Sequence, residues 1–398
     1  MSQLPRYESY KDSGVQWLGE IPSHWQLIAF HYVSRLKSGD SITALDFVSD
    51  GEYPVYGGNG YRGNIDRFNH DGRYVLIGRQ GALCGNVNLA DGKFFATEHA
   101  VVVYKNENID TDWLYYLLDT MNLNQYSTTA AQPGISAEVI GRLKIPLPTI
   151  DEQKNIASLL NRRLAQVDAL IAKQETLLEK LAEQRVALIS HAVTKGLNPD
   201  VEMKESGDVF FRKVPNHWKV LALHYIVRLV SGDSITALDF VADGDYPVYG
   251  GNGFRGYIDR YTHQGNYVLI GRQGALCGNI NFASGYFFAT EHAVVVNPLI
   301  DLNYKWLGFL LMAMNLNQYS TTAAQPGISA EVIGRLKILL PEIEEQNQIA
   351  DFIETELRDI EELENKAIVL KDKLKEYCST LITQVVTGKI DVRNLKVN

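Results

Sequence analysis

The segment MNLNQYSTTAAQPGISAEVIGRLKI occupies residues 121–145 and recurs, letter for letter, at 314–338. The two copies are 193 residues apart, and the same offset relates their surroundings. Residues 31–148 and 224–341 are identical at 89 of 118 positions, without insertion or deletion. The repeats of solenoid proteins are only about 20–50 residues long. A period this long therefore predicts one domain that occurs twice in the chain.

The composition is that of an ordinary globular protein, with 398 residues, 45% hydrophobic and 21% charged. No apolar run approaches the length of about 18 residues that a membrane span needs, and the start of the chain does not resemble a secretory signal. The cysteines, Cys84, Cys277 and Cys378, are too few and too scattered for a disulfide framework or a metal site. These features predict a cytoplasmic protein without a bound metal.

Each copy consists of two parts of different character. The first mixes short β-like runs such as YVLIG with Gly and Asn turns, whereas the second, from 151 to 195, has neither Gly nor Pro and is rich in Leu, Ala, Gln and Glu. We therefore expect an α+β protein with two homologous mixed α/β domains joined by two long helices. The expected boundaries are 1–148 for the first domain, 149–196 for the first helix, 197–341 for the second domain, and 342–398 for the second helix with a C-terminal tail.

The second helix carries apolar residues at alternating spacings of four and three, which is typical of a coiled-coil seam, and the first has leucines at equivalent positions with Gln174 and Gln184 as polar breaks. The natural partner of each helix is its own copy, and we expect antiparallel pairing with pseudo-twofold symmetry. Packing of each stripe against a globular domain is the alternative. The residues predicted to form the seam are Leu170, Leu177, Leu181 and Leu188 in the first helix and Leu363, Leu370, Leu374 and Leu381 in the second.

Four segments of the chain resemble the specificity subunits of type I restriction–modification systems. KDSGVQWLGEIPSHW at 11–25 is similar to the opening of that family, and KESGDVFFRKVPNHW at 204–218 is a degraded second copy. PLPTIDEQ at 146–153 and LLPEIEEQ at 339–346 are similar to its junctions between target-recognition domain and helix. The resemblance covers essentially the whole chain, in the order domain, helix, domain, helix.

The resemblance implies a DNA-binding subunit that is not itself an enzyme. In this family each recognition domain reads one half of a bipartite site in double-stranded DNA. The helices set the spacing and help to recruit two adenine methyltransferase (M) subunits, and restriction or motor (R) subunits join the complete complex. The subunit itself then needs no cofactor, because S-adenosylmethionine, ATP and magnesium belong to its partners. A net charge of −9 fits this division, since partners can supply many of the phosphate contacts.

Several short patterns suggest enzymes, but their context disfavours each. Residues 58–63 and 251–256 fit G-x-G-x-x-G, yet no helical pattern follows, so Gly-rich turns are the better interpretation. Residues 199–204, PDVEMK, hold nuclease-like groups, but all of them crowd into one linker. Glu98-His99 could serve acid–base or metal chemistry, although a histidine in an apolar run is more often part of the core. Neither a phosphate-binding loop nor an adenine-methyltransferase motif is present.

The candidate DNA-reading residues are polar side chains on turn-rich segments, because Arg, Lys, Asn and Gln read base edges best. Three such segments occur in the first domain, at 37–43 with 59–62, at 78–81 and at 125–134. Stabilisation of their own domain is the alternative role for these residues. The candidates are Lys37, Ser38, Thr43, Asn59, Tyr61, Arg62, Arg79, Gln80, Ser127, Thr128, Thr129 and Gln132 in the first domain, and Ser231, Thr236, Asn252, Phe254, Arg255, Arg272, Gln273, Ser320, Thr321, Thr322 and Gln325 in the second.

The differences between the copies are few at these segments. Val230 replaces Lys37, Asn266 replaces Arg73, and residues 104–112 diverge, but the three segments are otherwise kept. Both domains are therefore expected to read the same short sequence, which under twofold symmetry makes the whole site an interrupted palindrome. Two other classes stay open: an adaptor whose working part is the coiled coil, and an enzyme that fuses recognition with catalysis.

Overall fold

The computed structural model describes residues 5–81, 83–127, 133–208, 210–274, 276–320 and 326–393. The chain forms two compact units, Met1–Lys173 with Val369–Asn398, and Gln174–Ile368. Each unit therefore contains one copy of the repeated domain and half of each long helix. No helix in these ranges is long and apolar enough to cross a membrane.

The first domain is built from short strands with two short helices. Its strands are β1 (Tyr10–Asp12), β2 (Glu20–Pro22), β3 (Gln26–Ala29), β4 (Ser34–Ser38), β5 (Tyr53–Gly57), β6 (Gly60–Ile65), β7 (His70–Asp71), β8 (Tyr74–Gly78), β9 (Val87–Ala90), β10 (Lys93–Ala96), β11 (Ala100–Lys105) and β12 (Lys144–Leu147). Its helices are α1 (Thr111–Thr120) and α2 (Ala137–Arg142), and the long helix α3 (Ile150–Lys195) follows. Short 3₁₀ turns lie at Phe30–Tyr32, Ala44–Asp46 and Leu123–Tyr126.

The second domain repeats these elements in the same order. Its strands are β13 (Met203–Glu205), β14 (Lys213–Pro215), β15 (Lys219–Ala222), β16 (Val227–Ser231), β17 (Tyr246–Gly250), β18 (Gly253–Ile258), β19 (His263–Gln264), β20 (Tyr267–Gly271), β21 (Ile280–Ala283), β22 (Tyr286–Ala289), β23 (Ala293–Pro298) and β24 (Lys337–Leu340). Its helices are α4 (Tyr304–Ala313) and α5 (Ala330–Arg335), followed by the long helix α6 (Ile343–Val386). The 3₁₀ turns lie at Leu223–Tyr225, Ala237–Asp239 and Leu316–Tyr319.

Two four-stranded sheets form the body of each domain. In the first domain their strand orders are β4-β11-β8-β9 and β6-β5-β10-β7, and β5 and β10 pair in parallel. The runs YVLIG of β8 and AVVV of β11 are buried throughout most of their length, which explains why they read as continuous apolar strands. The second domain has the same two sheets, β16-β23-β20-β21 and β18-β17-β22-β19.

A single large core in each unit joins the first sheet to α1 or α4 and to the long helices. Trp113 of α1 and its counterpart Trp306 of α4 are fully buried. Asp110 caps α1 by accepting hydrogen bonds from the backbone N–H groups of residues 112 and 113, and Asn303 caps α4 in the same way. The capped helix therefore lies against the sheet with its tryptophan fixed at the centre of the core.

The long helices pair as expected, first half with last half. In the first unit Leu160 of α3 and Leu381 of α6 belong to one core, and in the second unit Val193 of α3 and Ile353 of α6 do. Each unit thus combines the start of one long helix with the end of the other, which is the antiparallel arrangement.

The buried stripe of the helices differs from the expected one at the first two predicted positions of each helix. Leu181 and Leu381 are buried and Leu188 and Leu374 partly so, but Leu170, Leu177, Leu363 and Leu370 are 44%, 39%, 47% and 44% exposed. The prediction was wrong for these four residues. The inward positions are instead Ile171, Leu178, Glu364 and Lys371, each half-buried. The actual stripe contains charged residues. In the second unit, for example, the guanidinium of Arg185 lies 2.8 Å from the carboxylate of Glu364. Such a stripe is not predicted from the spacing of apolar residues.

Candidate nucleic-acid interface

A concave pocket of about 680 Å³ opens on the first domain, and parts of all three expected reading segments meet there. Its walls come from the β5–β6 hairpin, the residues after β8, the turn between β10 and β11, and the segment that precedes α2. The residues that line it are Gly58, Asn59, Tyr61, Arg62, Gln80, Gly81, Leu83, His99, Pro133 and Gly134.

The β5–β6 hairpin presents Tyr61 and Arg62 because its turn is made of glycines. Gly60 has a φ of +87°, a backbone conformation that side chains rarely adopt. A Cβ atom at Gly57 would lie 2.5 Å from the Cδ atom of Arg62, so the arginine stem runs closely over this glycine. Its guanidinium lies 5.8 Å from the ring centroid of Phe47, and its outer face stays exposed.

The backbone of the segment after β8 is hydrogen-bonded to two other loops. The N–H of Arg79 donates to the carbonyl oxygen of His99 at 2.9 Å, and the N–H of Gly81 donates to that of Pro133 at 2.9 Å. Gln80 lies between them and pairs with Gly134 as an isolated antiparallel bridge. The exposed side chains of Arg79 and Gln80 are therefore held on a rigid base, as direct reading of DNA requires.

Other candidates in the first domain lie at the margin or have structural partners. Lys37 is exposed on β4, and Ser38 accepts a 3.4 Å hydrogen bond from Arg79. Thr43 is the N-terminal cap residue of the turn at Ala44–Asp46, and its backbone N–H and its hydroxyl both donate to the carboxylate of Asp46, at 2.9 and 2.7 Å. The bond from the hydroxyl is the main reason that the pKa of Asp46 is lowered to about 2.

The third segment is only partly described. Ser127 accepts a 2.9 Å hydrogen bond from the N–H of Gly134 and so joins the two ends of its loop. The equivalent Ser320 accepts from Gly327 at 3.0 Å. The predictions for Thr128, Thr129, Gln132, Thr321, Thr322 and Gln325 concern positions outside the described residues.

The second domain repeats this local geometry. Arg272 donates to Ser231 at 3.2 Å, Gln273 bridges to Gly327, and the guanidinium of Arg255 lies 5.8 Å from the Phe240 ring centroid. Thr236 forms the same cap as Thr43. Asn252 and Phe254 are exposed on their hairpin, like their counterparts Asn59 and Tyr61.

One pocket residue was assigned to the core by the sequence argument, and that assignment was wrong. His99 interrupts the apolar run FFATEHAVVV, but the structure places it on the turn between β10 and β11, where 42% of its side chain is exposed. Its counterpart His292 is 45% exposed. The signal in the sequence was the pair of polar residues, Glu-His, which separates two strands rather than lying within one.

The enzyme-like motifs have structural roles. Residues 58–63 form a β-hairpin and not the strand-to-helix turn that a dinucleotide needs. The ammonium of Lys204 donates to the backbone oxygens of Asn216 and Trp218 at 2.6 and 2.7 Å, which pins β13 against β14 and leaves no nuclease arrangement there. Among the described residues, no group of three or more His, Cys, Asp or Glu side chains could hold a metal ion.

Comparison with known proteins decides the family. The family model described as "Type I restriction modification DNA specificity domain" matches twice, at residues 22–181 and 215–371, and so covers most of the chain and both of its domains. The chain belongs to this family. Its role in DNA sequence specificity follows from that membership, and the pocket supplies amide, guanidinium and imidazole groups that suit base reading.

Two curated specificity subunits illustrate the relationship. The EcoprrI specificity subunit of Escherichia coli is 44% identical over 134 residues, an alignment that spans 33% of each chain. The MjaVIII specificity subunit of Methanocaldococcus jannaschii is 21% identical over 416 aligned residues, covering 94% of this chain and 95% of its own. The likeness is thus strong over a third of the chain and weak over the whole.

Solved structures of type I systems share the fold. One, from work on complex assembly and conformational transition of the type I system, has a TM-score of 0.72 at 14% identity and covers 93% of this chain and 99% of its own. The HsdS subunit of Thermoanaerobacter tengcongensis has a TM-score of 0.59 at 14% identity, over 95% and 100% of the two chains. At such identities the likeness shows the fold of the specificity family and nothing finer.

Proposed function

We propose that this protein is the non-catalytic specificity subunit of a type I restriction–modification complex. Each of its domains reads one half of a bipartite DNA site, and the subunit positions two adenine methyltransferase subunits on that site. The observation that carries the proposal is the convergence of Asn59, Arg62 and Gln80 in one pocket. Amide and guanidinium groups of this kind read adenine and guanine in the major groove.

The two half-sites are the same sequence in opposite orientation. Asn252, Arg255 and Gln273 repeat the reading groups of the first domain, and their backbone contacts are repeated as well. Of the residues that line the pocket, only Tyr61 is changed in the second domain, to Phe254. The hydroxyl of Tyr61 donates to Asn64 at 3.1 Å and is therefore not a free reading group.

Affinity and chemistry belong to the partners. A net charge of −9 does not favour strong contact with phosphates, so the methyltransferases, and R subunits where present, supply much of the positive surface. S-adenosylmethionine, ATP and magnesium are bound by those subunits, in the cytoplasm where the DNA lies. The long helices expose Leu170, Leu177, Leu363 and Leu370, and exposed apolar side chains of this kind suit a protein partner.

The test is to co-express the chain with its methyltransferase and to map modified adenines across the host genome. The expected motif is an interrupted palindrome. Two unrelated half-sites would refute equal reading, and methylation without a bipartite motif would refute the function itself.

Matched variants assign each half-site to a domain. Gln80→Ala should weaken discrimination at one base pair of one half-site by about 1–3 kcal/mol, roughly 5- to 150-fold, because a good bidentate contact has that value. Gln273→Ala should do the same at the mirrored position of the other half-site. An adaptor whose recognition loops are incidental would show neither effect.

A further inference from the structure

We propose that His99 and His292 are specificity-determining residues that contact a base-pair edge, one in each half-site. The proposal rests on the proposed function and adds a reading group to it. It depends on three features of the histidine: a fixed backbone, an imidazole without a close partner, and a neighbouring carboxylate.

The backbone of His99 is held in place from three directions. Its carbonyl oxygen accepts from the N–H of Arg79 at 2.9 Å, and its own N–H lies 3.4 Å from the hydroxyl oxygen of Thr97, which is fully buried. The turn is closed by the N–H of Ala100, which donates to the carbonyl oxygen of Thr97 at 2.9 Å. The Cα–Cβ bond of His99 therefore has a fixed direction, and its ring lines the pocket beside Gln80.

The imidazole of His99 differs from those of structural histidines in the same domain. His70 has partners at 2.7 Å on both ring nitrogens, and His31 has the carbonyl oxygen of Gly141 at 2.9 Å. Within the described part of the chain, the polar contact found for the ring of His99 is the carboxylate of Glu98 at 3.4 Å. Its hydrogen-bonding capacity is thus largely available to a ligand, since a neutral imidazole has one donor and one acceptor.

The neighbouring carboxylate favours a base over a phosphate as that ligand. Glu98 is 34% exposed beside His99, and its negative charge would repel a phosphate in the same pocket. A base edge, which presents amino groups and ring nitrogens, meets no such repulsion. The second domain has the same pair, with His292 at 3.5 Å from Glu291.

The experiment uses the complete complex of the chain with its methyltransferase and a library of DNA sites. The variants are His99→Ala, His292→Ala and the conservative His99→Gln, and the control is His31→Ala, an exposed histidine that precedes β4, away from the pocket. His99→Ala should relax base preference at one position of one half-site by about 2- to 12-fold, the effect of a single hydrogen bond. His292→Ala should relax the mirrored position, and His99→Gln should retain part of the preference. His31→Ala should leave the base preference unchanged at every position, although it removes the hydrogen bond between the His31 ring and the carbonyl oxygen of Gly141.

Two results would overturn the proposal. Weaker binding to all sequences, with a shallower salt dependence, would make His99 a phosphate contact. A lowered melting temperature with unchanged base preference in the folded fraction would make it a structural residue. Both are distinct from failure of the proposed function, in which the unmodified complex itself would show no bipartite motif.

Discussion

The two domains are nearly identical where they form the pocket and differ where they support it. Asn59, Arg62, Gln80 and His99 all recur at an offset of 193. At the other end of β11, Tyr104 bonds to His70 in the first domain, whereas the second has an asparagine at the equivalent position. The two copies therefore differ in contacts of this kind while the proposed reading groups are the same, as equal reading of the two half-sites would require.

The junctions with the long helices differ more. In the first unit the segment that follows α6 contacts the start of the domain, because the N–H of Asp391 donates to the carbonyl oxygen of Pro5 at 2.8 Å. In the same unit the carboxylate of Glu152, only 7% exposed, accepts from Trp25 and contacts His24 at 2.9 Å. The equivalent side chain of Glu345 is 27% exposed. The first junction is therefore the drier of the two.

The largest effect is expected from Gly78→Ala and its counterpart Gly271→Ala. A Cβ atom at Gly78 would lie 2.0 Å from the carbonyl oxygen of Gly58, and at Gly271 2.2 Å from that of Gly251. Since backbone cannot yield like a flexible side chain, each variant should lose about 3 kcal/mol or more of unfolding free energy and the reading of its own half-site. Urea unfolding and site mapping measure the two losses.

The control for this prediction is a glycine whose replacement by alanine should increase the free energy of unfolding. Gly141→Ala lies inside α2, where the new methyl group would meet its nearest neighbour at 3.5 Å, and it should stabilise the first unit by about 0.5–1 kcal/mol. Equal tolerance of alanine at 78 and 141 would show that the close approach of the two backbones is not needed for the pocket.

The next effect separates the two junctions. Burial alone would raise the pKa of Glu152, but the hydrogen bonds from His24 and Trp25 outweigh it and the pKa is lowered, so the group is a carboxylate at neutral pH. Glu152→Ala leaves a buried indole N–H without its acceptor and should cost the first unit about 1–3 kcal/mol. Glu345→Ala should cost the second unit less, because water can reach the vacated position.

The loss of stability at each junction is measured by the hydrogen exchange of its backbone amides, and Glu152→Gln is the control. The amide keeps an acceptor oxygen for Trp25 and should retain part of the lost stability. Equal losses in Glu152→Ala and Glu345→Ala would contradict the difference in hydration between the junctions.

The duplication, the mixed domains and the antiparallel helices could be predicted from the sequence, because each leaves a long-range pattern. The register of the helix stripe could not. The predicted and actual stripes share Leu181, Leu188, Leu374 and Leu381, and the other four positions were predicted from apolarity alone. The helices turn Glu364 inward next to Arg185, and an ion pair across two helices leaves no periodic apolar signal.

The pocket was predicted only in part, because the contacts that assemble it join segments that are distant in the sequence. Gly-rich turns and Arg-Gln pairs are visible in the chain, but the approach of Gly78 to Gly58, which joins two reading segments, depends on sheet pairing. Thr43 is a different case, because its partner Asp46 lies only three residues away, and the cap that they form could have been predicted from the sequence. His99 was misplaced because a turn of a few residues between two buried strands resembles one longer strand.

A smaller effect concerns acid. Burial lowers the pKa of His70, so the folded first domain binds fewer protons than the unfolded chain just below the ordinary histidine pKa of about 6.5. Its stability should therefore be unaffected above that value and fall as the pH decreases through it. Protonation also reverses the hydrogen bond with Tyr104, because the charged ring must donate to the hydroxyl oxygen where the neutral ring accepts from the hydroxyl.

The comparison with His263 sharpens this prediction. Burial lowers the pKa of His263 too, but in the part of the chain that the structure describes its ring bonds only to Thr262. Between pH 7 and 5 the first domain should lose more stability than the second, by at most about 1 kcal/mol, the value of one hydrogen bond, because the first must reverse its bond to Tyr104. Unfolding as a function of pH tests this, with Tyr104→Phe as the variant that removes the difference. A difference that survives in Tyr104→Phe would refute the assignment.

The smallest effect tests whether the pockets read alike at the one lining position where they differ. Tyr61 bonds to Asn64, and in the second domain the ring of Phe254 instead packs edge-on against Tyr257 with centroids 5.1 Å apart. In each domain the two side chains contact each other on the hairpin. The double variant Tyr61→Phe, Asn64→Tyr should therefore change the affinity for DNA by less than about 1 kcal/mol and leave the base preference unchanged. The reverse exchange in the second domain is the matched control. A new base preference in either variant would mean that this hairpin position touches DNA, and the two half-sites would then be alike only in part.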